Sequence, residues 1–538
     1  MVTGAPIANH VWPFFGNVQE GLGLHGKSVA EPLRPAAPHE VIARVDAVCV
    51  CSSDVKLMRM GSAHPLFKGR DLAQSPIVLG HEVALTVWDV GANWRESYRP
   101  GQRLGLQPAI VRDGQRTTIG IDLAGGFGQY LILDDHVLGG PDPYVFPVPE
   151  EMSSAAVAML EPYACVEAAY RPNCRTALRP GGRLLLLGLP HGEAMTLEAD
   201  LAVAEAVLIA APPAVAEWAQ HHAARLSQVA DLAALGDARF DDIILCGAFD
   251  PALTEAAFAR LADGGLLALV GPGDDAASCR IDPALIHYRA LSIVGAPGPS
   301  IDAAFGTARN RFDLAPGGTT LILGAGGAMG RIHLHRALEL AEGPDLVIAV
   351  SRQRARLDAL RADFGPLAAR RGSRLEILAD TDLEEALRHL APQGCDDVVV
   401  AAPDLTAIER GARLLRPGGM LVIFAGTPFG AGRPLPLGQI SCHGTRLTGS
   451  TGCTVADQKE VLARVLSGDL DLAGNLEAVC GFEALPDAVR SVAAGEVCGK
   501  IAIFPGLADL ELTAVRTIAR PAGVGGWTRA DEQRLGAA

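Results

Sequence analysis

The sequence predicts an α/β protein in which a domain of short antiparallel strands precedes two tandem domains built on parallel sheets. Residues 38–50 alternate apolar and polar side chains, as a half-buried strand does. From residue 181 onward, short apolar strands alternate with helical patterns, which is typical of a doubly wound parallel sheet. Two segments of this α/β part also recur at a nearly constant separation. With 538 residues, the chain is too long for a single hydrophobic core.

Short strands separated by Gly and Pro turns continue to about residue 150, so we expect an all-β domain there. Over 153–171 the apolar spacing becomes helical, and Ser153 is a suitable N-cap. After a further helix over 456–468, the segment KIAIFP (500–505) reads as a strand that rejoins the first domain. The polar tail that follows contains two short helical patterns.

The α/β part contains an internal repeat. DDIIL begins at 241 and DDVVV at 396, which are 155 positions apart, and GGLLALVG (264) and GGMLVIFAG (418) are 154 apart. The strands and helices around them also follow the same order. We interpret this as a duplicated doubly wound domain. Copy A is the segment 171–300, and copy B is the segment 315–454.

Copy B carries a dinucleotide-binding fingerprint, GAGGAMG, between the strand TTLIL and the helix RIHLHRALELA. Gly324 permits the turn, Gly326 lets the backbone approach a pyrophosphate, and Gly330 lets helix and strand pack closely. Gly327 and Met329 complete the turn. A glycine pattern of this kind is weak alone, but the strand before it and the helix after it make it specific.

At the same place copy A has GLPHG (188–192). Leu189 and Pro190 replace residues whose backbone N–H groups and small size would be needed, and proline has no N–H. We therefore expect copy A to keep the fold and to lack the phosphate site.

The second strand of copy B ends at Ser351 and is followed by Arg352, with Arg354 and Arg356 close behind. Proteins of this fold that use NAD usually have an acidic residue at this position. A serine and arginines can instead hydrogen-bond and neutralise a 2′-phosphate. The sequence therefore favours NADP(H) over NAD(H). The alternative is that these arginines are only the solvated start of a helix.

Three residues of different chemistry could form a metal site. Cys51 and His81 each follow a strand at a strand-to-turn boundary, and Glu161 lies on the later helix. Three protein ligands and an open fourth position are typical of catalytic zinc. Glu82 could lie behind these ligands or exchange with water as a ligand. The alternative is that Cys51 is a small buried hydrophobe and His81 a satisfied turn residue.

The ordered set CSSD (51–54), GHE (80–82), EP (161–162), GAGGAMG (324–330) and GKIAIFP (499–505) resembles the zinc-dependent medium-chain alcohol dehydrogenases. The resemblance is closest to the polyol and sugar branch, the sorbitol, threonine and sorbose-1-phosphate dehydrogenase type. Copy A has no counterpart in that family's usual layout.

The resemblance covers about 35–178 and 315–505. It implies a GroES-like catalytic domain over 1–170 that is completed by 455–505. Two tandem Rossmann domains, the first degenerate, and a tail over 506–538 make up the rest of the expected architecture.

By position, the resemblance implies Cys51, His81 and Glu161 as ligands of one catalytic zinc, with Glu82 as an alternate ligand. Many relatives carry four closely spaced cysteines in a lobe that would fall near 95–125. This sequence has none there, so we expect no structural zinc.

The resemblance also implies roles around the metal. Asp54 would hold the ring of His81 and fix its tautomer. Ser53 would accept the proton of the alcohol and pass it on. Lys56 stands where many relatives have a histidine, so the last step of this proton relay differs from theirs.

The sequence thus predicts a zinc-dependent oxidoreductase that transfers hydride between a nicotinamide cofactor and a secondary alcohol or ketone of a polyol, sugar or sugar phosphate. One alternative is a zinc-free quinone or enone reductase of the same superfamily. Another is a non-catalytic nucleotide-sensing protein. The zinc content of the purified protein and a screen of polyols and their phosphates distinguish these three possibilities, and about one zinc per chain supports the predicted enzyme.

Composition and charge exclude several classes of binding partner. The net charge is −15, and nucleic-acid binding would require a basic face. No apolar run reaches the roughly 20 residues that span a bilayer. The N-terminus shows no secretory signal, and the eleven cysteines form no paired framework. We therefore expect a cytoplasmic protein with a small-molecule substrate and neither nucleic-acid nor membrane partners.

Copies A and B end in similar strands, LSIVGAP (291–297) and RLTGS (446–450). An exposed sheet edge tends to pair or to be covered. We expect the two copies to form an intrachain pseudo-dimer through these edges, with further homo-oligomers left open. The alternative is that copy A is a separate ligand-binding lobe and that homodimers form through copy B.

Overall fold

A computed structural model describes residues 8–16, 22–173, 175–519 and 526–536. Outside the described residues lie 1–7, on which the expectation of no secretory signal depends, and parts of the predicted tail. Among the described residues, no helix is both long and apolar enough to cross a membrane. The chain forms two compact units. The first contains the described residues up to Glu167 and from Gly452 onward, and the second is Ala168–Thr451.

The first unit is built on an eight-stranded sheet in the order β11-β7-β6-β4-β27-β26-β28, with β10 also paired to β4. The strands of this unit are β1 (Ala8–Val11), β2 (Pro13–Phe14), β3 (Val29–Pro32), β4 (Val41–Cys49), β5 (Ile77–Val78), β6 (Glu82–Val90), β7 (Arg103–Leu106), β8 (Ala109–Arg112), β9 (Gln115–Thr118), β10 (Tyr130–Leu133), β11 (Val145–Pro147), β26 (Leu476–Gly481), β27 (Lys500–Phe504) and β28 (Thr513–Ala514). The central strand β4 is buried along almost its whole length. The late strand β27 pairs antiparallel with β4, so the strand predicted at KIAIFP does rejoin the first domain.

The helices of this unit are α1 (Ser52–Met60), α2 (Asp135–Leu138), α3 (Ser154–Ala158), α4 (Leu160–Ala169), α13 (Val455–Ser467), α14 (Leu485–Ala494) and α15 (Arg529–Leu535). The single helix predicted over 153–171 is two helices, capped by Ser153, whose side chain accepts from Ala156 N. Because Pro162 has no N–H to donate, it is suited only to the first turn of a helix, and a new helix starts at Leu160.

The second unit contains two six-stranded parallel sheets. The first sheet consists of β12 (Arg183–Gly188), β13 (Glu205–Ile209), β14 (Leu226–Gln228), β15 (Phe240–Cys246), β16 (Leu261–Val270) and β18 (Ser292–Ala296), with α5 (Pro213–His222), α6 (Pro251–Phe258) and α7 (Pro283–Arg289). The second consists of β19 (Thr319–Leu323), β20 (Leu346–Ser351), β21 (Arg374–Ala379), β22 (Cys395–Val400), β23 (Leu415–Ile423) and β25 (Arg446–Gly449), with α8 (Ala328–Glu339), α9 (Arg354–Arg371), α10 (Leu383–Leu390), α11 (Leu405–Arg413) and α12 (Gly438–His443).

The two sheets have the same strand order, β14-β13-β12-β15-β16-β18 and β21-β20-β19-β22-β23-β25. This is the order of a dinucleotide-binding doubly wound sheet. Two short strands, β17 (Cys279–Ile281) and β24 (Arg433–Leu435), pair with each other antiparallel. The α/β class with parallel doubly wound sheets is therefore confirmed.

A buried hydrogen-bond network is repeated in the two halves of this unit. Asp242 on β15 is paired with Arg175, and Asp397 on β22 with Arg311. In each half, the backbone N–H four residues after the arginine donates to the same aspartate over 2.8 Å. The two halves thus share a detail of side-chain chemistry as well as the strand order.

Candidate active site

Cys51 lies where the central strand of the first unit gives way to a helix. It is the N-cap residue of α1, and its backbone N donates to Asp54 Oδ2 over 3.0 Å. The sequence indicated a strand-to-turn boundary and did not predict α1. The three polar residues Ser52, Ser53 and Asp54 favour a helix start, which places the thiol of Cys51 at the N-terminus of α1.

His81 lies between β5 and β6, with its Nδ1 atom 3.3 Å from Asp54 Oδ1. The same aspartate oxygen accepts from Gly80 N over 3.4 Å, and Asp54 is fully buried. Burial opposes the charged ring, but the Asp54 carboxylate and the Cys51 thiol raise the pKa of His81 well above its usual value. A carboxylate on Nδ1 fixes the ring and leaves Nε2 as the atom available to a ligand.

Cys51, His81 and Glu82 each present a ligand atom, and these atoms all lie within 4.8 Å of one another. Glu82 is the first residue of β6, is fully buried, and forms an ion pair with Lys500 on β27. Its Oε2 atom has no hydrogen-bond partner among the described residues. A buried carboxylate oxygen is costly to leave unpaired. Beside a thiol and an imidazole it fits the donor set that zinc prefers.

Glu161 belongs to a neighbouring group. Its carboxylate and the thiols of Cys165 and Cys453 lie within 4.8 Å of one another, and Cys165 Sγ donates to Glu161 Oε1 over 3.2 Å. Burial raises the pKa of Glu161 above its usual value, although the charge of His81 acts in the opposite direction. Glu161 is thus near His81 but turned toward the two thiols. Its role as a zinc ligand stays a prediction.

Sequence analysis missed two residues of these groups, Cys165 and Cys453, and also Lys500, which pairs with Glu82. Cys165 follows Glu161 by four positions, so the helical spacing could have placed them on one face. No sequence signal pairs Lys500 with Glu82, or Cys453 with Cys165, because each pair is separated by hundreds of residues.

The side chains expected to carry protons lie along α1. Ser53 Oγ is exposed and lies 3.4 Å from His81 Nε2. Lys56 is half-buried one turn later. Burial, together with the charge of Lys56, lowers the pKa of His64. His64, also missed from the sequence, is therefore a neutral imidazole close to Lys56.

The fingerprint of copy B forms the turn between β19 and α8. Gly324 has φ +87°, a conformation that favours glycine. A Cβ atom on Gly330 would lie 2.2 Å from Gly324 O, so only glycine permits this approach of helix and strand. Gly327 is the N-cap residue of α8, without a side-chain cap, and Met329 lies in the first turn. A helix N-terminus after such a turn binds phosphate.

Of the residues expected at the adenosine ribose, Ser351 and Arg356 border this turn. A Cβ atom on Gly326 would lie 2.6 Å from Ser351 Oγ and 2.8 Å from Arg356 Cβ. The side chain of Arg352 is 74% exposed and lies 3.6 Å from Asp404. The structure therefore brings Ser351 and Arg356 to the turn, whereas Arg352 points toward another partner.

The alcohol dehydrogenase GroES-like domain family matches residues 37–142. An uncharacterized protein of Escherichia coli K12, YggP, is 29% identical over 49% of this chain and 69% of its own length. The L-sorbose 1-phosphate reductase of Klebsiella pneumoniae is 25% identical over 49% of this chain and 70% of its own. The sorbitol dehydrogenase of Bacillus subtilis is 24% identical over 43% of this chain and 68% of its own length.

Solved structures agree on the fold. A zinc-binding dehydrogenase of Sinorhizobium meliloti 1021, described as putative and bound to NADP, superposes with a TM-score of 0.52 at 16% identity over 93% of this chain and all of its own. Residues 37–142 thus match an alcohol dehydrogenase GroES-like domain, and the chain is similar to zinc-type alcohol dehydrogenases of the polyol branch, which supports an oxidoreductase.

Proposed function

We propose that this oxidoreductase depends on one zinc ion and transfers hydride between NADP(H) and a secondary alcohol or ketone. The observation that carries the proposal is the group of Cys51, His81 and Glu82, in which a buried carboxylate oxygen has no partner among the described residues. Zinc bound there supplies a Lewis acid that polarises a carbonyl or lowers the pKa of an alcohol. The nicotinamide supplies the hydride chemistry.

The residues around this group position the donors and move a proton. Asp54 accepts from His81 Nδ1 and holds the ring so that Nε2 faces the donor group. Ser53 Oγ, 3.4 Å from that nitrogen, is placed to take the proton of an alcohol. Lys56 and the neutral His64 lie further along and would pass the proton to solvent.

Lys500 is a positioning residue for Glu82. It binds one carboxylate oxygen, and the other oxygen, which has no hydrogen-bond partner among the described residues, would hold the metal. In this proposal Glu161 would be a zinc ligand and Glu82 the alternate one, and the Cys165 thiol orients Glu161 by donating to its Oε1 atom.

Metal analysis tests the proposal most directly. We expect about one zinc per chain. Cys51→Ser should lose the zinc and lower kcat/KM by at least about 10³-fold, because a Lewis acid contributes several kcal/mol. NADP(H) affinity should change little, since the fingerprint lies in the other unit. Cys442→Ser, which changes a thiol outside this group, is the matched control.

Zinc content and a rate unchanged in Cys51→Ser would show that the proposed site is wrong. A zinc-free protein that reduces quinones or enones would support the zinc-free reductase instead. A protein that binds dinucleotide without turnover of any alcohol or ketone would support the nucleotide-sensing alternative.

The proposed preference for NADP(H) rests on Ser351 and Arg356 beside Gly326. We expect kcat/KM to be at least about 100-fold higher with NADP(H) than with NAD(H), since hydrogen bonds to charged groups contribute about 1.5–3 kcal/mol each. Arg356→Ala should remove most of this preference. Arg361→Ala, on the same helix, should not alter it.

Arg352 provides a second comparison, because its side chain lies toward Asp404. Arg352→Ala should lower the preference less than Arg356→Ala does. A kinetic preference for NAD(H) that neither substitution changes would contradict the proposed cofactor.

The proposed substrates are polyols, sugars and their phosphates, the class that the names of the sorbitol dehydrogenase and L-sorbose 1-phosphate reductase relatives print. A screen of these compounds, followed by the absorbance of the reduced nicotinamide, tests the class. Turnover of simple secondary alcohols at rates above those of every polyol and sugar phosphate would contradict it.

A further inference from the structure

The two halves of the second unit contact each other through equivalent residues. The strands β17 and β24 pair antiparallel with Arg280 opposite Pro434, and these two residues are themselves 154 positions apart. On either side, Cys279 pairs with Leu435 and Ile281 with Arg433. An antiparallel pair centred on equivalent residues is what a two-fold axis produces.

The packing of helices on strands around this axis is also the same when the two halves are exchanged. A Cβ atom on Gly295 of β18 would lie 3.1 Å from the Cα atom of Ser441 on α12. A Cβ atom on Gly449 of β25 would lie 3.2 Å from the Cα atom of His287 on α7. Gly295 and Gly449 are 154 positions apart, as are His287 and Ser441. Each half thus gives the other the same close approach of helix to strand.

The interface continues the hydrophobic core. One cluster of buried side chains includes Leu267 and Ile293 of the first sheet together with Leu421 and Leu447 of the second. At its border, His443 Nε2 lies 2.8 Å from Asp275 Oδ2. A core shared between two sheets is typical of an obligate interface, not of two independent lobes.

The first half has also lost the element that binds phosphate. Residues 189–204, all described, contain no helix between β12 and β13, whereas the second half has α8 at that place. Leu189 N donates to Cys246 O, and Ala248 N donates to Pro190 O over 2.7 Å. The backbone that follows β12 is therefore hydrogen-bonded to the end of β15, and it does not lead into a helix as the turn after β19 does.

We propose that copy A is a permanent, covalently attached substitute for a second subunit. Its surface around β17, α7 and β18 fits one partner, copy B of the same chain, in a self-complementary pseudo-two-fold interface. The expected edge-to-edge pairing of β18 with β25 does not occur, because these strands end two separate sheets. The contact is made instead by the β17–β24 pair and by the helices α7 and α12, which pack on β25 and β18 within one chain. The chain then holds one dinucleotide, on copy B, a number that rests on the proposed function.

A cross-link tests which chain supplies the partner. Cys442 is within hydrogen-bond reach of the Asp275 carboxyl, and Asp275 is largely exposed. In Asp275→Cys, a short thiol cross-linker should join positions 275 and 442 within one chain, so the denatured protein keeps the mass of a single chain, 56.0 kDa. Asp263→Cys, whose parent side chain pairs with Arg289 of its own half, is the control and should form no such link.

Peptide mapping identifies the linked positions, and native mass measured over a 1000-fold dilution reports association. A link between 275 and 442 of two different chains, or no link between these positions, would overturn the proposal. So would a dimer that Gly449→Glu dissociates without unfolding copy B. Two dinucleotides per chain would overturn the assignment of copy A as nucleotide-free, whereas none at all would contradict the proposed function and leave the cross-link result intact.

Discussion

Removal of the positive charge beside Glu82 should destabilise the first unit strongly. The side chains of Lys500 and Glu82 are 2% and 0% exposed, and the pair joins β27 to β6 on either side of β4. Burial would lower the pKa of Lys500, but Glu82 raises it well above its usual value, so the lysine is charged. Lys500→Met keeps the length of the side chain and leaves a carboxylate buried without its partner.

Breaking a buried ion pair by removing one member costs about 3–5 kcal/mol. We expect that loss in the metal-free protein, because Oε2 of Glu82 has no other partner among the described residues. Zinc at the adjacent donors would compensate the carboxylate, so the loss should fall by at least about 1 kcal/mol in the zinc-loaded protein. The double variant Lys500→Met with Glu82→Gln should recover about half of the loss in the metal-free protein, because no charge remains buried.

Urea unfolding followed by tryptophan fluorescence measures these differences. Four of the five tryptophans lie in the first unit and Trp218 in the second, so a Trp218→Phe background reports the first unit alone. A loss below about 1 kcal/mol in Lys500→Met, or a double variant no more stable than the single one, would refute the argument from the buried charge. An equal loss with and without zinc would refute the placement of Glu82 beside the metal.

Three further predictions concern other sites. Gly330→Val should weaken NADP(H) binding at least about 100-fold, because the added side chain separates α8 from Gly324. Gly365→Ala, whose Cβ meets open space, is the control and should leave the affinity unchanged. Equal NADP(H) affinities of Gly330→Val and the wild type in a binding titration would contradict this prediction. Burial lowers the pKa of His333 to about 3. Since the unfolded chain binds that proton near pH 6.5, stability is lost between about pH 6.5 and 3. As the pH falls over this range, the free energy of unfolding measured with urea should drop by up to about 5 kcal/mol more in the wild type than in His333→Gln. Parallel plots of unfolding free energy against pH for the two proteins would exclude the effect. Glu532, on the C-terminal helix α15, accepts from backbone N–H groups at the start of α3 through its buried carboxylate. In Glu532→Gln the free energy of unfolding of the first unit should fall by about 1–3 kcal/mol in the same assay. An unchanged unfolding midpoint would show that this cap does not stabilise the unit.

Local patterns were sufficient for some elements of the fold. The strand at KIAIFP, the helix start at Ser153 and the turn at Gly324 depend on neighbours within a few residues, and the structure has each of them. Cys51 and His81, the proposed zinc donors, could be singled out because residue type and motif order are visible along the chain, and the structure brings their ligand atoms together. The helix after Cys51 was missed because short helices beside a strand have weak periodicity.

What the sequence by itself determined is therefore the set of chemical groups and the order of the strands. Tertiary structure decided which of these groups meet. It placed Lys500 on Glu82, Cys453 near Glu161 and Ser441 against Gly295, in pairs more than 140 positions apart. No period or spacing encodes such pairs, since they form only when separate strands and helices bury their apolar faces together. The energies that hold the site, a buried charge against its counter-charge, arise only in that packed state.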